Sequence, residues 1–218
     1  MRARDVLTLF NRLNVIVDGH FRFASGMHGG TYINKDALYP YSQETSRLCY
    51  EIAKRAFLLC DIDCVVGPEK GGIILSQWVG YHLTQKKRQH VLSVFAEKKM
   101  HASSVLQGAS SPDYDFIFTR GYADCIAGKN VLIVEDVITT GGSIKKVVNL
   151  VRESGGNVSG VAAVCNRGNI YSENIGSPPI FFALLDISLS SWSAEVCPLC
   201  AQGMALNTQL GSSKEFVL

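Results

Sequence analysis

Residues 131–143 read VLIVEDVITTGGS. No polar residue interrupts Val131 to Val134, which marks a strand covered on both faces rather than the alternating strand of a half-exposed sheet. Glu135 and Asp136 follow, then a turn of small residues, then Ile144, Val147, Val148 and Val151 at helical spacing before Gly155 and Gly156. A buried strand that passes through a glycine turn into an amphipathic helix is half of a right-handed crossover unit. Such units demand a parallel sheet with helices on its faces.

The same rhythm recurs along the chain. Apolar runs begin at Asp63 (DCVVG), His90 (HVLSVF), Asn130 (NVLIVE), Val158 (VSGVAAVCN) and Pro179 (PIFFALLDI). Between them, Ser42 is placed to cap a helix that turns Leu48, Ile52, Ala56 and Leu59 inward, and Leu75, Val79 and Leu83 line the next. The expected fold is therefore α/β, an open, mainly parallel twisted sheet flanked by helices. The 218 residues suit a single domain spanning 1–218, since one core stops growing only above about 250 residues. Residues 1–40 and about 188–218 fit the rhythm poorly, and are expected to fold over the sheet as a small hood lobe.

Composition excludes several classes of function. With 47% hydrophobic and 18% charged residues the chain can bury a sizeable core, so disorder is excluded. A net charge of +2 is too small to imply a nucleic-acid or membrane surface. In the N-terminal stretch Val6, Phe10 and Leu13 share a helical face, while Asn11, Arg12 and Asn14 break the apolar run that a signal peptide needs. No stretch approaches the roughly 20 apolar residues of a membrane span, and the expected location is the cytoplasm. The seven cysteines read as reduced thiols without a disulfide framework. Cys197 and Cys200, in CPLC, have the spacing of half a zinc site. No second CxxC accompanies them, so a complete site needs a partner chain or scattered ligands such as Cys165, and packed thiols are the preferred reading. His20, His28, His82 and His90 show no ligand spacing and read as packing or surface residues.

Ligands of open α/β sheets sit at the carboxyl ends of the strands, here the loops after Gly67, Phe95, Glu135 and Asn166. With the strand ending near Glu135 and the helix beginning near Ser143, Thr139 to Gly142 form a turn whose amides converge at a helix N-terminus. Gly141 and Gly142 let a phosphate approach the main chain, and Thr139, Thr140 and Ser143 add hydroxyl donors. Acids beside a phosphate repel it unless something lies between. A ribose satisfies both, its 2′ and 3′ hydroxyls donating to Glu135 and Asp136 while its 5′-phosphate occupies the turn.

This segment resembles the phosphoribosyl pyrophosphate signature of the type I phosphoribosyltransferases, and other stretches are similar to the orotate-using members of that family. VVGPEKGGIIL, Val65 to Leu75, resembles the pyrophosphate loop and implies roles for Glu69, Lys70 and Gly71 at the leaving group. FAEKKMHAS, Phe95 to Ser103, resembles the mobile catalytic loop. It implies that Lys99 and His101 reach the pyrophosphate with Lys98 beside them, and that residues 97–113 close as a lid. VCNRG, Val164 to Gly168, resembles the segment whose arginine, here Arg167, contacts the base. FRFASGMHGGTYIN, Phe21 to Asn34, resembles the N-terminal segment, with Ala24 where orotate enzymes carry a lysine.

The resemblance implies a glycosyltransferase of nucleotide metabolism. It would move ribose 5-phosphate from phosphoribosyl pyrophosphate to a base, with orotate and pyrimidine biosynthesis as the main reading. Glu135 and Asp136 would stabilise the cationic sugar, Mg²⁺ would arrive mainly through the substrate, and the working form would be a homodimer. Ala24 keeps a purine or other base open as acceptor. The partial catalytic loop keeps open a regulator that binds phosphoribosyl pyrophosphate without catalysis.

Overall fold

The chain runs α1 (Ala3–Arg12), β1 (Ile16–Arg22), β2 (His28–Ile33), α2 (Ser42–Leu59), β3 (Cys64–Pro68), α3 (Gly71–Lys87), β4 (Leu92–Met100), β5 (Tyr114–Ile117), β6 (Asn130–Ile138), α4 (Gly142–Glu153), β7 (Asn157–Asn166), β8 (Phe181–Asp186) and β9 (Ser191–Trp192). Short helical turns at Tyr122–Ile126 and Pro198–Ala201 complete it. The computed structural model describes residues 1–23, 25–101 and 113–211.

A six-stranded sheet has the order β5-β4-β3-β6-β7-β8. Its pairings are parallel except β4 with β5, so the expected open, mainly parallel α/β sheet is what forms. The pleat sends alternate side chains of β6 to opposite faces. Val131 and Ile133 join Ile144, Val147, Val148 and Val151 of α4 in one core. Leu132 and Val134 join Leu48, Ile52, Leu75, Val79 and Leu83 of α2 and α3 in the other. Each such side chain stabilises the fold by roughly 1.5–3 kcal/mol when fully buried, which is why β6 is wholly apolar from Val131 to Val134.

Three boundaries and the facing of one side chain differ from those expected. Ser42 is the first residue of α2 and Tyr41 occupies the cap position without a side-chain cap bond. Leu59 lies in the last turn of α2, beyond Ala56, and is 54% exposed. β6 continues past Glu135 to Ile138, because β7 keeps pairing with it through Ile138↔Asn166. β4 continues past Phe95 to Met100, because β5 returns antiparallel with Glu97↔Ile117 and Met100↔Tyr114. The segment expected to be a lid from residue 97 thus begins as a two-stranded ribbon. Residues 102–112 of that segment, and Ala24, lie outside the described residues.

A second sheet of three strands, β1-β2-β9, joins the N-terminal hairpin to the C-terminal segment. β9 docks on β2 through His28↔Trp192 and Gly29↔Ser191. All seven cysteines are free thiols. Among the described residues no helix is long and apolar enough to cross a membrane.

The order of the large sheet locates the crevice. β3 and β6 are neighbours, yet the chain leaves β3 for β4 on one side and β6 for β7 on the other. That reversal separates the two following loops and opens a cleft at the carboxyl ends of β3 and β6.

Candidate active site

Thr139 to Ser143 cross the mouth of this cleft. Gly141 takes φ 77° as the residue before α4, a left-handed conformation that glycine adopts without strain. The Gly142 amide points back to Thr140 Oγ1 at 3.5 Å, and Ser143 Oγ lies 2.8 Å from the Tyr114 hydroxyl. A cleft of about 170 Å³ opens here, lined by Thr139 to Ser143 together with Glu69, Lys35, Lys98 and Glu135. Amides at a helix start and two ammonium groups make it an anion site.

The two acids, adjacent in sequence, occupy different environments. Glu135 faces the cleft at 8% exposure, and one of its oxygens accepts the Asp136 amide at 3.0 Å. Burial, and then the neighbouring Asp136 charge, hold its carboxyl well above the usual carboxylate range, opposed by Lys35. Asp136 is 2% exposed. Its carboxylate accepts hydrogen bonds from the Tyr39 hydroxyl and from Lys35 Nζ, which lies 3.0 Å from Oδ2. Burial alone would depress the Lys35 ammonium, but the Asp136 and Glu135 charges leave it above its ordinary value. Burial, then Asp136, likewise pushes the Tyr39 phenol up. A Cβ at Gly71 would come within 1.8 Å of Asp136 Oδ2 and 2.1 Å of the Tyr39 oxygen. Only glycine therefore lets the start of α3 rest on this carboxylate.

The other expected site residues divide. Glu69 lines the cleft, and its amide donates to Ala96 O at 2.9 Å. Lys70 is exposed just before α3. Lys98 lines the cleft and lies 4.5 Å over the Tyr114 ring. Lys99 pairs across the ribbon with Asp115, and His101 Nε2 lies 3.0 Å from Asp115 Oδ2. Strand alternation thus brings Lys98 into the cleft and leaves Lys99 and His101 on the ribbon beside it.

Next to this cleft is a cavity of about 700 Å³ that shares Thr139 and Thr140 with it. Arg167 lines it from the loop after β7, its amide bonded to Ile138 O at 2.8 Å and its guanidinium carbon 4.4 Å above the Phe23 ring. Burial lowers the Arg167 pKa from its ordinary value. Phe23, Met27 and Tyr32 of the small sheet and its hairpin turn supply flat apolar walls, and Ser188, Leu189 and Ser191 close the far side. The floor is tight: a Cβ at Gly168 would stand 1.7 Å from Thr139 O. Sequence reasoning missed Lys35, Tyr39, Phe23 and Tyr32. A lysine and a tyrosine four residues apart around the 3-10 turn Lys35–Ala37 carry no signal until the fold lays that turn against β6.

Fold and site together define an α/β protein that binds a sugar phosphate at its topological switch point, with room for a flat polar ring beside it. Residues 42–182 match the phosphoribosyl transferase domain, and the chain belongs to the phosphoribosyltransferase family. It is 34% identical over 206 residues to the orotate phosphoribosyltransferase of Thermoanaerobacter sp. (strain X514), covering 94% of this chain and 96% of that one. It is 32% identical over 205 residues to the orotate phosphoribosyltransferase of Acidithiobacillus ferrooxidans, covering 93% and 94%. Among solved structures, a phosphoribosyltransferase from Corynebacterium diphtheriae superimposes with TM-score 0.60 at 21% identity over 84% of this chain and 95% of that one. Mycobacterium tuberculosis orotate phosphoribosyltransferase, crystallised with Fe(III) dicitrate, gives TM-score 0.58 at 22% identity over 84% and 94%. The fold is theirs.

Proposed function

We propose that the chain transfers ribose 5-phosphate from phosphoribosyl pyrophosphate to orotate, giving orotidine 5′-monophosphate and pyrophosphate, in the cytoplasm. The observation that carries this reading is the pair of cavities that meet at Thr139 and Thr140. The smaller suits a phosphorylated sugar, and the larger offers a guanidinium and aromatic walls to a planar acid. Arg167 supplies the fork that pairs with a carboxylate, and orotate carries one.

In the reaction the C1′–oxygen bond to pyrophosphate breaks, positive charge spreads over C1′ and the ring oxygen, and a ring nitrogen of the base forms the new bond as its proton passes to the departing pyrophosphate or to water. The amides and hydroxyls of Thr139 to Ser143 hold the 5′-phosphate and so fix C1′ against the base pocket. Glu135 faces the sugar, and its ionised form stabilises the developing charge. Asp136, already bound by Lys35 and Tyr39, sets the position of that strand end and of the pyrophosphate loop resting on it. Lys98, with Lys70, Lys99 and His101 when the ribbon closes, neutralises the departing pyrophosphate. The oxygen-rich cleft fits Mg²⁺ carried in by pyrophosphate, with Glu69 and Glu135 as the carboxylates that line it. The ion would supply charge neutralisation at the leaving group.

We take residues 1–218 as one domain whose hood is the small sheet. A homodimer is supported by the aromatic face that Tyr50, Trp78 and Tyr81 build around His82 on α2 and α3, with Tyr50 and Tyr81 40% and 51% exposed. Steady-state pyrophosphate release with orotate, uracil, hypoxanthine, guanine and xanthine tests the reading. Orotate should be the one efficient acceptor. A purine turned over faster would transfer the assignment to salvage, and no release with any base would make the protein a regulator.

A further inference from the structure

The small sheet contains a group of side chains that the transferase reading does not use. His20 of β1, His28 of β2, and Cys197 and Cys200 around the turn Pro198–Ala201 bring four ligand atoms within 4.8 Å of one another. The first three residues are buried and Cys200 is exposed. Their separations are His20 Nε2 to His28 Nδ1 3.0 Å, His20 Nε2 to each sulfur 3.6 Å, and His28 Nδ1 to Cys200 Sγ 3.3 Å. A tetrahedral zinc ion with bonds of about 2.05 Å to nitrogen and about 2.3 Å to sulfur requires edges of about 3.4 Å between nitrogens and about 3.6 Å between nitrogen and sulfur. These four edges lie within about 0.4 Å of those values, and the remaining two, from Cys197 Sγ to His28 and to Cys200 Sγ, are no longer than 4.8 Å.

Hydrogen bonding among the four groups does not account for the arrangement. His20 Nδ1 lies 2.7 Å from Met204 O, a carbonyl that can only accept, so Nδ1 carries the proton and Nε2 presents one lone pair. Three heteroatoms surround that lone pair. One hydrogen bond uses it up and leaves the other two contacts without a donor–acceptor pairing. A single cation at the centre satisfies all of them. The Met204 carbonyl then performs the outer-shell task of fixing the tautomer and aim of a ligating imidazole.

We propose that His20, His28, Cys197 and Cys200 form a closed, structural zinc site. Two nitrogens and two thiolates in a tetrahedron select zinc over the hard cations, and four protein ligands leave no open position for chemistry. The ion clamps the N-terminal hairpin to the C-terminal segment. These two pieces of chain also meet through the short pairing of β2 with β9, the bond from the Asn207 amide to His20 O and the bond from His20 Nδ1 to Met204 O. All four ligands lie outside residues 42–182, the part that matches the family domain. The site thus lies outside the matched domain, and it does not depend on which base is the acceptor.

The test uses the full-length protein, purified under reducing conditions and assayed for bound metal by mass spectrometry. It is then stripped with a chelator and titrated with Co²⁺. About one zinc per chain is expected, and the cobalt form should show the thiolate charge-transfer and intense d–d bands of tetrahedral S₂N₂ coordination. Cys200→Ser, at the exposed ligand, should fold and bind zinc at least 10-fold more weakly, while Cys165→Ser should keep full stoichiometry. Zinc removal should lower the melting temperature, and zinc should restore it. A reduced, folded chain that gives neither zinc nor the cobalt spectrum overturns the proposal, as does a Cys200→Ser variant that binds as tightly as the wild type. Either result leaves the transferase assay untouched.

Discussion

Lys35 connects the two acids, and replacing it by methionine tests the electrostatics of the site. Its ammonium lies 3.0 Å from Asp136 Oδ2, with the lysine side chain 44% and the aspartate side chain 3% exposed. At that separation and an effective dielectric near 20 the gross attraction is about 5 kcal/mol. Water reaching the lysine discounts it heavily. Exposed pairs are worth about 0.2–1 kcal/mol, and stranding one member of a buried pair costs about 3–5 kcal/mol. Here only the aspartate is buried, and its Tyr39 bond survives, so Lys35→Met should cost about 2 kcal/mol. For a chain of this length that is a fall of about 4–8 °C in melting temperature. In a double-mutant cycle with Asp136→Asn, most of the loss should appear as coupling between the two positions. A second readout follows from Glu135, whose pKa is raised by burial and by Asp136 but opposed by Lys35. Without the ammonium it should rise further, and the acidic limb of the pH–rate profile should move to higher pH, while Lys35→Arg keeps the limb in place. A Lys35→Met protein that melts with the wild type and retains its acidic limb would refute this account of the site.

Glu135→Gln should abolish most turnover yet stabilise the fold at pH 8. A carboxyl whose folded pKa is raised contributes stability below its unfolded value and loses it as pH rises through the folded value, so the gain in melting temperature should vanish as pH falls toward 5. Arg167→Lys loses the planar fork, and at about 1.5–3 kcal/mol for a charged hydrogen bond the orotate KM should rise roughly 10- to 100-fold. The KM for phosphoribosyl pyrophosphate should hold, and an equal rise in both would argue against a role confined to the base. Gly168→Ala places a methyl 1.7 Å from Thr139 O and must displace one of the two loops, so kcat/KM should fall at least 10-fold. Wild-type kinetics from that variant would mean the loops are not held as described.

How much was legible in the sequence depended on whether the information was local. Leu132, Val134 and the α4 stripe announced themselves because both faces of a central strand and one face of a helix leave periodic traces. The anion turn was equally plain, since the left-handed backbone at Gly141 requires a glycine at that point. Ends of strands were read less well: β4 reaches Met100 and β6 reaches Ile138 only because β5 and β7 continue alongside, a long-range fact. The same holds for Lys35 and Tyr39, which become partners of Asp136 through a turn a hundred residues earlier in the chain. It holds most strongly for His20 and His28, whose spacing resembles no ligand motif. They sit on adjacent strands of a hairpin, and the C-terminal CPLC turn supplies what their own spacing lacks.

These long-range residues bear on how the activity is divided. Thr139 to Ser143, Glu69 and Glu135 all lie within residues 42–182, and with Lys35 from outside that span they line the cleft to which the proposed function assigns the phosphorylated sugar. Phe23, Met27, Tyr32, Ser188, Leu189 and Ser191, which wall the larger cavity, lie outside that span, and so do the four side chains that would clamp the hairpin to the C-terminal segment. Among the described residues, Arg167 is the one charged group that lines the larger cavity. On the proposed function, donor chemistry rests mainly on the large sheet, and the shape of the acceptor pocket mainly on the chain's two ends. Mutations confined to the small sheet should change which base is used, or how tightly, before they change how phosphoribosyl pyrophosphate is bound.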